Sequence, residues 1–390
     1  MSHAGHSDRE GGRLRVAMLT TDGRESWKEY DKLEPYFGTP QEALFQAIPD
    51  FPEIEMHVIS CWQKPMSAPK KLAENIWFHG LVVPQIGWIR TGYQGCIRAV
   101  RKKLKELQPD IVHGQGTERD CAICAALSGY PNVITIHGNV GAIVKLMKIK
   151  AFSYYWLVAQ LERWTIPRAG GVVCITNYTK ELVQPLARRT WVSPNAVDAG
   201  FFSIENQPAS PPQILCVGHI QERKNQIRLL EALDPVAKKM PLNAIFYGKP
   251  EQPYAARFLQ MLKERPWCRH GYAERPMLRA ALETATMLVL PSVEENCPMA
   301  VLEAMAAGVP VVASKAGGIP DLFEHGESGL FCDPLDVDSI RAQIQRFLSD
   351  RSSASQIGSR ARQRALEKFH PKVIAQEHLA IYREVSGLKR

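Results

Sequence analysis

The sequence predicts an α/β protein made of two doubly wound, Rossmann-like domains of parallel strands. Short runs rich in β-branched residues alternate with longer amphipathic stretches almost throughout the chain, which is typical of βα units. This alternation is interrupted once, near the middle. The length of 390 residues also suits two domains, each large enough to bury its own core.

The strand predictions rest on short apolar runs bounded by turn-forming residues. Before the interruption they are residues 14–20, 54–60, 110–113, 133–137 and 171–176, and after it residues 213–218, 243–247, 287–291 and 310–314. Helical patterns lie between them, so the strands are expected to pair in parallel.

The interruption at residues 199–212 contains Asn206, Gln207 and three prolines, and it predicts an interdomain linker. The N-terminal domain is then expected at residues 13–198 and the C-terminal domain at residues 213–358. We expect residues 359–390 to be helical and to pack back on the N-terminal domain. A ligand cleft is expected where the two domains face each other, at the carboxyl ends of their strands.

The net charge and the hydropathy of the chain indicate which kinds of partner and which classes of function are expected. Lys and Arg total 48 against 40 Asp and Glu, and the net charge of +8 favours anionic partners. The positive charge is scattered and no nucleic-acid-binding module is recognisable, so a nucleic-acid partner is not expected. No apolar stretch approaches the roughly 20 residues that span a bilayer. Residues 1–12 lack the apolar core of a secretory signal and are expected to be a disordered tail.

The cysteines indicate a reducing compartment. Nine cysteines are spread thinly over a long chain, and together with the absence of a recognisable signal they predict a cytoplasmic protein. Only Cys121 and Cys124 form a CxxC pair. Because this pair lies in an alanine-rich helical pattern with no second pair at zinc-ligand spacing, core packing is favoured over metal or redox chemistry.

A long connection follows the first predicted strand. Residues 22–39 carry seven basic or aromatic side chains and no periodic pattern. Structureless loops of this length are usually functional or mobile, which suggests a lid or an acceptor-recognition loop. A surface insertion with its aromatic rings tucked beneath it is an equal alternative.

The most informative segment is residues 291–314. A buried strand ends at Pro291, a polar loop follows, and a helix is expected to begin at Pro298. The free N–H groups of its first turn, with the helix dipole, predict an anion site. Glu295 and Glu303 flank this site, and carboxylates there suit hydrogen bonds from sugar hydroxyls. The alternative for Glu303 is a solvated helical residue.

With these residues the segment resembles glycosyltransferase family 4, also called glycosyl transferases group 1. These are retaining sugar transferases of the GT-B fold, whose hallmark is Glu-x7-Glu followed by Ala-Met-Ala-x-Gly-x-Pro-Val-Val. The resemblance implies that Glu295 and the amides after it hold the donor sugar, while Glu303 binds the nucleotide ribose. The residues after Glu295 that this places at the donor are Asn296, Cys297, Pro298 and Met299. The family often has Gly-Phe-Gly after the first glutamate, whereas this chain has Asn296-Cys297-Pro298. The identity of the transferred sugar therefore stays open.

Residues 217–225 are similar to the family motif Val-Gly-Arg-x4-Lys-Gly, a turn after a strand that places cations on the donor diphosphate. Gly218 and Lys224 match this motif. His219 stands where the family has arginine, so the resemblance leaves one phosphate contact either weakened or pH-dependent, or supplied by Arg223.

Two further segments extend the resemblance, and a third could be mistaken for the metal-binding Asp-x-Asp of other sugar transferases. His137 ends a predicted strand, and the resemblance assigns it to the reaction centre, where a neutral imidazole can hydrogen-bond a sugar hydroxyl; a core histidine is the alternative. Gly317-Gly318 is expected in a structural loop at the nucleotide pocket. Asp336-Val337-Asp338 is interpreted as a helix cap and not as a metal site. The resemblance implies no metal and no cofactor.

The function implied is transfer of a hexose from a UDP- or GDP-sugar to a glycan, lipid-linked or small-molecule acceptor. Configuration would be retained, the departing phosphate oxygen taking the acceptor proton, with His137, Lys224 and Glu295 as catalytic residues. A nucleotide-sugar epimerase or hydrolase of the same fold is the alternative. A nicotinamide dehydrogenase is not expected, because Gly-x-Gly-x-x-Gly does not follow the first strand.

Residues 140–164 interleave basic and aromatic side chains in a helical pattern. Lys145, Lys148 and Lys150 alternate with residues such as Phe152 and Trp156. This composition suits peripheral contact with an anionic membrane, here its cytoplasmic face. A partly buried helix with a solvated basic edge fits the same pattern equally well.

Overall fold

The structure, a computed structural model, describes residues 12–387. The chain divides into two compact units. The first contains residues up to Cys174, Val183–Trp191 and the residues from Ala375 onward, and the second contains Ile175–Leu182 and Val192–Ile374. The predicted tail lies outside the described residues, apart from residue 12.

The first unit is built on an eight-stranded sheet. Its strands are β1 (Leu14–Leu19), β2 (Ile54–Trp62), β3 (Lys71–Ala73), β4 (Ile76–Val82), β5 (Ile111–Gln115), β6 (Asn132–Ile136), β7 (Val172–Cys174) and β8 (Thr190–Val192). Their order is β3-β4-β2-β1-β5-β6-β7-β8, and β3 pairs antiparallel with β4 while the other paired registers are parallel. Its helices are α1 (Gly23–Trp27), α2 (Thr39–Ala47), α3 (Gln94–Leu107), α4 (Asp120–Ala126), α5 (Val140–Leu146) and α6 (Tyr154–Thr165).

The second unit has a six-stranded parallel sheet. Its strands are β9 (Gln213–Val217), β10 (Asn243–Tyr247), β11 (Cys268–Gly271), β12 (Met287–Leu290), β13 (Val311–Ser314) and β14 (Leu330–Cys332), in the order β11-β10-β9-β12-β13-β14. The remaining helices are α7 (Asn177–Val183), α8 (Gln226–Ala237), α9 (Tyr254–Leu262), α10 (Arg275–Thr284), α11 (Met299–Ala306), α12 (Val337–Ser349), α13 (Arg351–Lys368) and α14 (Pro371–Ser386).

Both faces of the second sheet are covered, as the alternation of its side chains shows. On β9, Leu215 packs in one hydrophobic cluster, while its neighbours Ile214 and Cys216 pack in another. Successive strand residues point to opposite faces, so helices must cover both. This is the doubly wound arrangement that the alternating pattern predicts, and the predicted fold class is confirmed.

The structure groups the chain differently from the linker prediction. Residues 199–212 belong to the second unit, which also takes Ile175–Leu182. Helix α14 begins in the second unit and enters the first at Ala375. The domain boundaries drawn from the sequence stay predictions.

The long connection after β1 is not structureless. Asp22 caps α1 by accepting from the backbone N–H of Arg24, and the fully buried Arg24 guanidinium pairs with Asp22 at 2.7 Å. Arg24 Nη1 also donates to the carbonyls of Lys32, Leu33 and Ser67. One buried cation therefore organises the connection, a long-range arrangement that sequence periodicity does not reveal.

Two helix expectations need correction. Residues 140–164 form two helices, α5 and α6, because Lys148 and Phe152 between them adopt positive φ angles of 48° and 63°. Helix α11 begins at Met299, one residue later than expected, with Pro298 as an extended N-cap. Within residues 12–387, no helix has the length and apolar character needed to cross a bilayer.

Candidate active site

Two loops of the second unit bring the predicted donor-binding residues together. They follow β9 and β12, which are neighbours in the sheet, so both loops leave its carboxyl edge. Lys224 Nζ donates to Glu295 Oε1. Arg223 Nη1 lies 3.4 Å from Glu295 Oε2 and 3.2 Å from Glu294 Oε2. We call Arg223, Lys224, Glu294 and Glu295 the charged cluster.

The two carboxyls of the charged cluster have pKa values that are shifted in opposite directions. Burial acts to raise the pKa of Glu295, but the facing charges of Lys224 and Arg223 outweigh it and leave this pKa below its ordinary value. For Glu294, burial prevails over the attraction of Arg223, and its pKa is raised. Glu295 is therefore the carboxyl that stays ionised while paired with two cations.

Backbone geometry fixes the loop that carries the cations. Gly218 has a φ of +150°, and a Cβ there would lie 3.2 Å from Lys224 Cε. A Cβ on Gly248 would lie 2.0 Å from the Gly218 carbonyl oxygen. The loop ends at Asn225, whose Nδ2 donates to the carbonyls of Pro291 and Pro334. Close approach of these backbones leaves little room for the loop to shift.

The structure distinguishes the two candidates for the missing arginine. His219 Nδ1 is 2.5 Å from Glu251 Oε1, and about half of each side chain is exposed. Arg223, in contrast, lies in the charged cluster with Lys224. The geometry therefore favours Arg223 as the second cation beside Lys224.

The loop after β12 is fixed by its own side chains. Asn296 Oδ1 accepts hydrogen bonds of 2.6 Å from both Thr176 and Thr179. The Cys297 side chain is buried and its thiol pKa is raised to about 12 by burial, so it is not an acid–base group near neutral pH. The side chains of Asn296 and Cys297 thus shape the loop.

Helix α11 starts with free backbone donors. Across residues 12–387, nothing accepts a hydrogen bond from the N–H groups of Met299 and Ala300. The first amides of a helix, with the helix dipole, attract anions. These donors come four and five residues after Glu295, next to the charged cluster in sequence.

Gly317 and Gly318 pack directly on this loop. A Cβ on Gly317, which has a φ of +56°, would lie 1.9 Å from the Glu295 carbonyl oxygen. The Gly318 N–H donates to that same oxygen at 2.9 Å. The glycine pair therefore acts as a backbone support for Glu295, which gives a physical reason for its place in the motif.

Glu303 is a buried carboxyl on α11. Burial raises its pKa to about 7, with Arg275 opposing the shift and Asp198 adding to it. Asp198 itself forms ion pairs with Arg275 and Arg279. Glu303 therefore changes its charge near neutral pH.

The titration of Glu303 leads to a testable expectation. If Glu303 binds the ribose, affinity for a nucleoside diphosphate should rise as pH rises through about 7, because the carboxylate is the stronger acceptor. Glu303→Gln should remove this rise, measured by calorimetric titration across that range. The phosphates of the nucleotide also titrate. The test therefore compares the pH dependence of affinity in the unsubstituted protein with that in Glu303→Gln. An identical pH dependence in both would contradict the assignment.

The same shift predicts a stability effect. The folded-state pKa of about 7 lies above the ordinary value of 4.5, so the folded protein binds this proton more tightly than the unfolded chain. The free energy of unfolding should therefore fall as pH rises from 4.5 through 7. In Glu303→Gln that part of the slope should be absent.

His137 lies in the first unit, directly after β6. Its Nε2 is 2.8 Å from the side-chain amide groups of Gln41 and Gln115, which are 3.3 Å from each other. A chain of polar groups continues from Gln115 to His113, whose Nδ1 is 2.6 Å from the Tyr382 hydroxyl. The imidazole is held by hydrogen bonds and is not simply packed among apolar side chains.

Two carboxyls, from the half-buried Glu118 and the buried Glu162, organise the loop around His137. Glu118 accepts from the Gly138 N–H at 3.1 Å, and Glu162 accepts from Thr117 at 2.5 Å and from the Gly141 N–H at 3.1 Å. Burial raises the pKa of both carboxyls. The sequence analysis missed Gln41, Gln115, Glu118 and Glu162. Only the polar Gln115 at the end of a buried strand offers a sequence signal, since the other contacts join distant segments.

Two smaller predictions can be compared directly with the structure. Asp336 caps α12 by accepting from the Asp338 N–H, which confirms the cap interpretation. Cys121 and Cys124 lie in the hydrophobic cluster of the first unit, as expected for core residues.

Comparison with known proteins agrees with this fold. Residues 53–201 match the family described as Glycosyltransferase Family 4, and residues 200–364 match Glycosyl transferases group 1. Sulfoquinovosyl transferase SQD2 of Arabidopsis thaliana is 29% identical over 68% of this chain and 55% of its own length. Glycogen synthase of Mycobacterium tuberculosis is 26% identical over 72% of this chain and 71% of its own. The chain thus spans about half of the plant relative.

Solved structures show the same fold. Sucrose-phosphate synthase from Thermosynechococcus elongatus superposes with a TM-score of 0.78 at 18% identity, covering 97% of this chain and all of that one. Anabaena HepE in complex with UDP-glucose superposes with a TM-score of 0.69 at 16% identity, covering 95% and 100%. The fold is that of the GT-B glycosyltransferases. The chain belongs to the group 1, or family 4, glycosyltransferases, which are transferase enzymes.

Proposed function

We propose that this chain transfers a hexose from a UDP- or GDP-sugar to a glycan, lipid-linked or small-molecule acceptor, with retention of configuration. One observation carries the proposal: Lys224 and Arg223 meet Glu295 just before the free amides of α11. Two cations and helix donors suit a diphosphate, and adjacent carboxylates suit sugar hydroxyls.

Support for a nucleotide-sugar donor comes from the solved structures of similar fold. Anabaena HepE has been crystallised with UDP and with UDP-glucose. In this chain we assign the diphosphate to Lys224, Arg223 and the amides of Met299 and Ala300. The hexose is assigned to Glu295 and the loop after it, and the ribose to Glu303.

The chemistry we propose is mainly electrostatic. As the bond between the sugar and the diphosphate breaks, negative charge grows on the leaving phosphate oxygen, and Lys224, Arg223 and the α11 amides stabilise it. That oxygen takes the acceptor proton on the same face of the sugar, so the configuration is retained. In the free protein Lys224 is paired with Glu295. Binding of the diphosphate gives Lys224 a second anionic partner without removing Glu295 from the site.

We assign to His137 a hydrogen bond to a hydroxyl of the transferred sugar. Its contacts with Gln41 and Gln115 fix the orientation of the ring. Orientation by these neighbours matters, because catalysis depends on placing reacting groups within a fraction of an ångström.

The experiment that tests this proposal is a donor screen followed by product analysis. Nucleotide sugars are first ranked by the rise in melting temperature that they cause, and the best donor is incubated with candidate acceptors. We expect release of the nucleoside diphosphate and a new glycoside with the donor's anomeric configuration, read by NMR. An inverted product would contradict retention. An isomerised or hydrolysed sugar without a glycoside would contradict transfer and indicate the epimerase or hydrolase reaction.

We also propose a peripheral contact between residues 140–164 and the anionic cytoplasmic face of a membrane. Phe152 is 81% exposed and Tyr155 57% exposed, and both lie close in sequence to Lys145, Lys148 and Lys150. Exposed apolar rings beside solvated lysines suit a charged interface.

The nine free cysteines suit a reducing compartment, which supports the proposed cytoplasmic location.

Vesicle binding tests this contact. The protein should sediment with vesicles that contain phosphatidylglycerol, and a Phe152→Glu/Tyr155→Glu variant should bind several-fold less, because the rings would no longer enter the interface. Leu335→Glu is the matched control, since Leu335 is 68% exposed and belongs to the second unit, outside residues 140–164. Equal binding by all three proteins would remove residues 140–164 from membrane contact.

A further inference from the structure

The first unit contains a cluster of buried sulfur and oxygen ligands that the proposed reaction does not use. Cys61 near the end of β2, Cys96 in the first turn of α3 and Asp120 at the start of α4 each offer one ligand atom. These three atoms all lie within 4.8 Å of one another, and all three residues are buried. We call them the thiol–carboxylate cluster.

The Asp120 carboxylate in this cluster feels the positive charge of Arg119 but forms no direct ion pair with it. Among the described residues 12–387, no lysine, arginine or histidine forms an ion pair with Asp120. Its neighbour Arg119 places its guanidinium 4.9 Å from the Trp88 ring centre and donates to Ser26. A buried carboxylate without a paired charge is costly, so a bound cation would offset a large penalty.

The groups that face Asp120 are thiols. The Cys61 thiol lies beside both the Asp120 carboxylate and the Cys96 thiol, and it interacts electrostatically with both. Cys124, one helical turn after Asp120 on α4, is also buried and interacts electrostatically with Asp120 and Cys96. Side chains four residues apart share one face of a helix, so Cys124 is directed to the same region.

We propose that Cys61, Cys96 and Asp120, with Cys124 as fourth ligand, bind one zinc ion in the first unit. Two or three thiolates and one carboxylate are ligands that zinc accepts in tetrahedral sites. Zinc–sulfur bonds of about 2.3 Å hold tetrahedral ligands nearly 4 Å apart, so the cluster needs shifts of only a fraction of an ångström. Binding releases the thiol protons to solvent and involves no redox change.

Such an ion would join three elements that are far apart in the sequence. It would connect β2, α3 and α4, and α4 follows the loop that carries Glu118 next to Gly138. Its role would be structural, because structural zinc sites have protein ligands at every position. The proposal is therefore independent of the donor site in the second unit.

Metal analysis of the full chain tests this site. The protein is purified under reducing conditions, stripped with a chelator and titrated with Co²⁺ as a spectroscopic probe. We expect about one Co²⁺ per chain, with sulfur-to-cobalt charge-transfer absorption, displaced by Zn²⁺. Zinc should also raise the melting temperature of the stripped protein.

Variants separate this cluster from other cysteines. Cys61→Ser/Cys96→Ser should lose the charge-transfer band, and Asp120→Asn should bind Co²⁺ at least about tenfold more weakly. Cys174→Ser is the matched control, because Cys174 is a buried cysteine of β7 outside the cluster. If the double variant does not fold, the Co²⁺ titrations of Asp120→Asn and of the stripped unsubstituted protein still test the site. Absence of the band in the unsubstituted protein, or equal binding by Asp120→Asn, would overturn the proposal.

Discussion

Replacing Lys224 by alanine is expected to reduce kcat/KM for glycosyl transfer by roughly 100- to 1000-fold, the range seen when one charge-stabilising donor is removed from an active site. The structure supplies the reason. Lys224 lies in the loop after β9, with 13% of its side chain exposed, and its ammonium group is paired with Glu295. Initial rates with saturating acceptor and varied donor would measure the effect.

The interpretation of this variant needs control of folding. Removing Lys224 leaves the buried Glu295 carboxylate with only Arg223 nearby, and loss of a buried partner can destabilise a protein by several kcal/mol. Lys224→Ala/Glu295→Gln removes both charges and should be more stable than the single variant while remaining inactive. Lys238→Ala, at an exposed lysine beyond α8, should behave as wild type. A folded Lys224→Ala enzyme with near-normal turnover would contradict the assigned role.

Gly317→Ala is expected to weaken donor binding strongly, although residue 317 is not among the residues that we assign to contact the donor. The added Cβ would lie 1.9 Å from the Glu295 carbonyl oxygen, so the backbone of residue 295 must move. Displacement of a positioned group by about 1 Å can cost about 100-fold in rate. We expect a loss of that size in kcat/KM, together with weaker binding of the nucleoside diphosphate by calorimetry.

Gly326→Ala provides a matched control for this experiment. Gly326 also has a positive φ, +80°, but a Cβ there would contact nothing within 4 Å. Both substitutions carry the conformational cost of a left-handed residue, about 1–2 kcal/mol, and should lower the melting temperature. Only Gly317→Ala adds the clash with Glu295. Equal loss of donor affinity in the two variants would mean that backbone strain alone explains the effect.

The sequence predicted the central strands well and the edge strands poorly. Strands β1, β9 and β10 begin where expected because they are continuous apolar runs between helical patterns. Five strands were missed: the edge strands β3, β8, β11 and β14, and β4 next to the edge strand β3. Strands β3, β8 and β11 are short and have no buried side chain, so they show neither a buried run nor a clear alternation. Short edge strands depend on a neighbouring strand, and that dependence is not visible in local composition.

The residues of the proposed donor site were predicted from the sequence, whereas the contacts made by the residues around them were not. The spacing of Glu295 and Glu303 and the position of Lys224 carry the resemblance, and the structure places Lys224 beside Glu295. The partner of His219 was not predictable, because Glu251 comes 32 residues later and the pair depends on where two loops end. The contacts of His137 with Gln41 and Gln115 were missed for the same reason, since they join three separate segments.

The thiol–carboxylate cluster was not predictable for the same reason, because its residues are far apart in the sequence. The sequence draws attention to the CxxC pair, yet the ligand atoms that meet most closely come from Cys61, Cys96 and Asp120. These residues are separated by 35 and 24 positions, and no motif links them. Only the packing of β2 against α3 and α4 brings them together.

The central claim is that the donor diphosphate binds at Lys224 and the first turn of α11, with a carboxyl group on either side. A crystal structure with UDP or GDP, whichever binds more tightly, tests it most directly. We expect the β-phosphate within hydrogen-bonding distance of Lys224 Nζ and of the Met299 or Ala300 N–H, and the ribose hydroxyls on Glu303. A nucleotide bound with its phosphates away from both Lys224 and α11 would contradict the account.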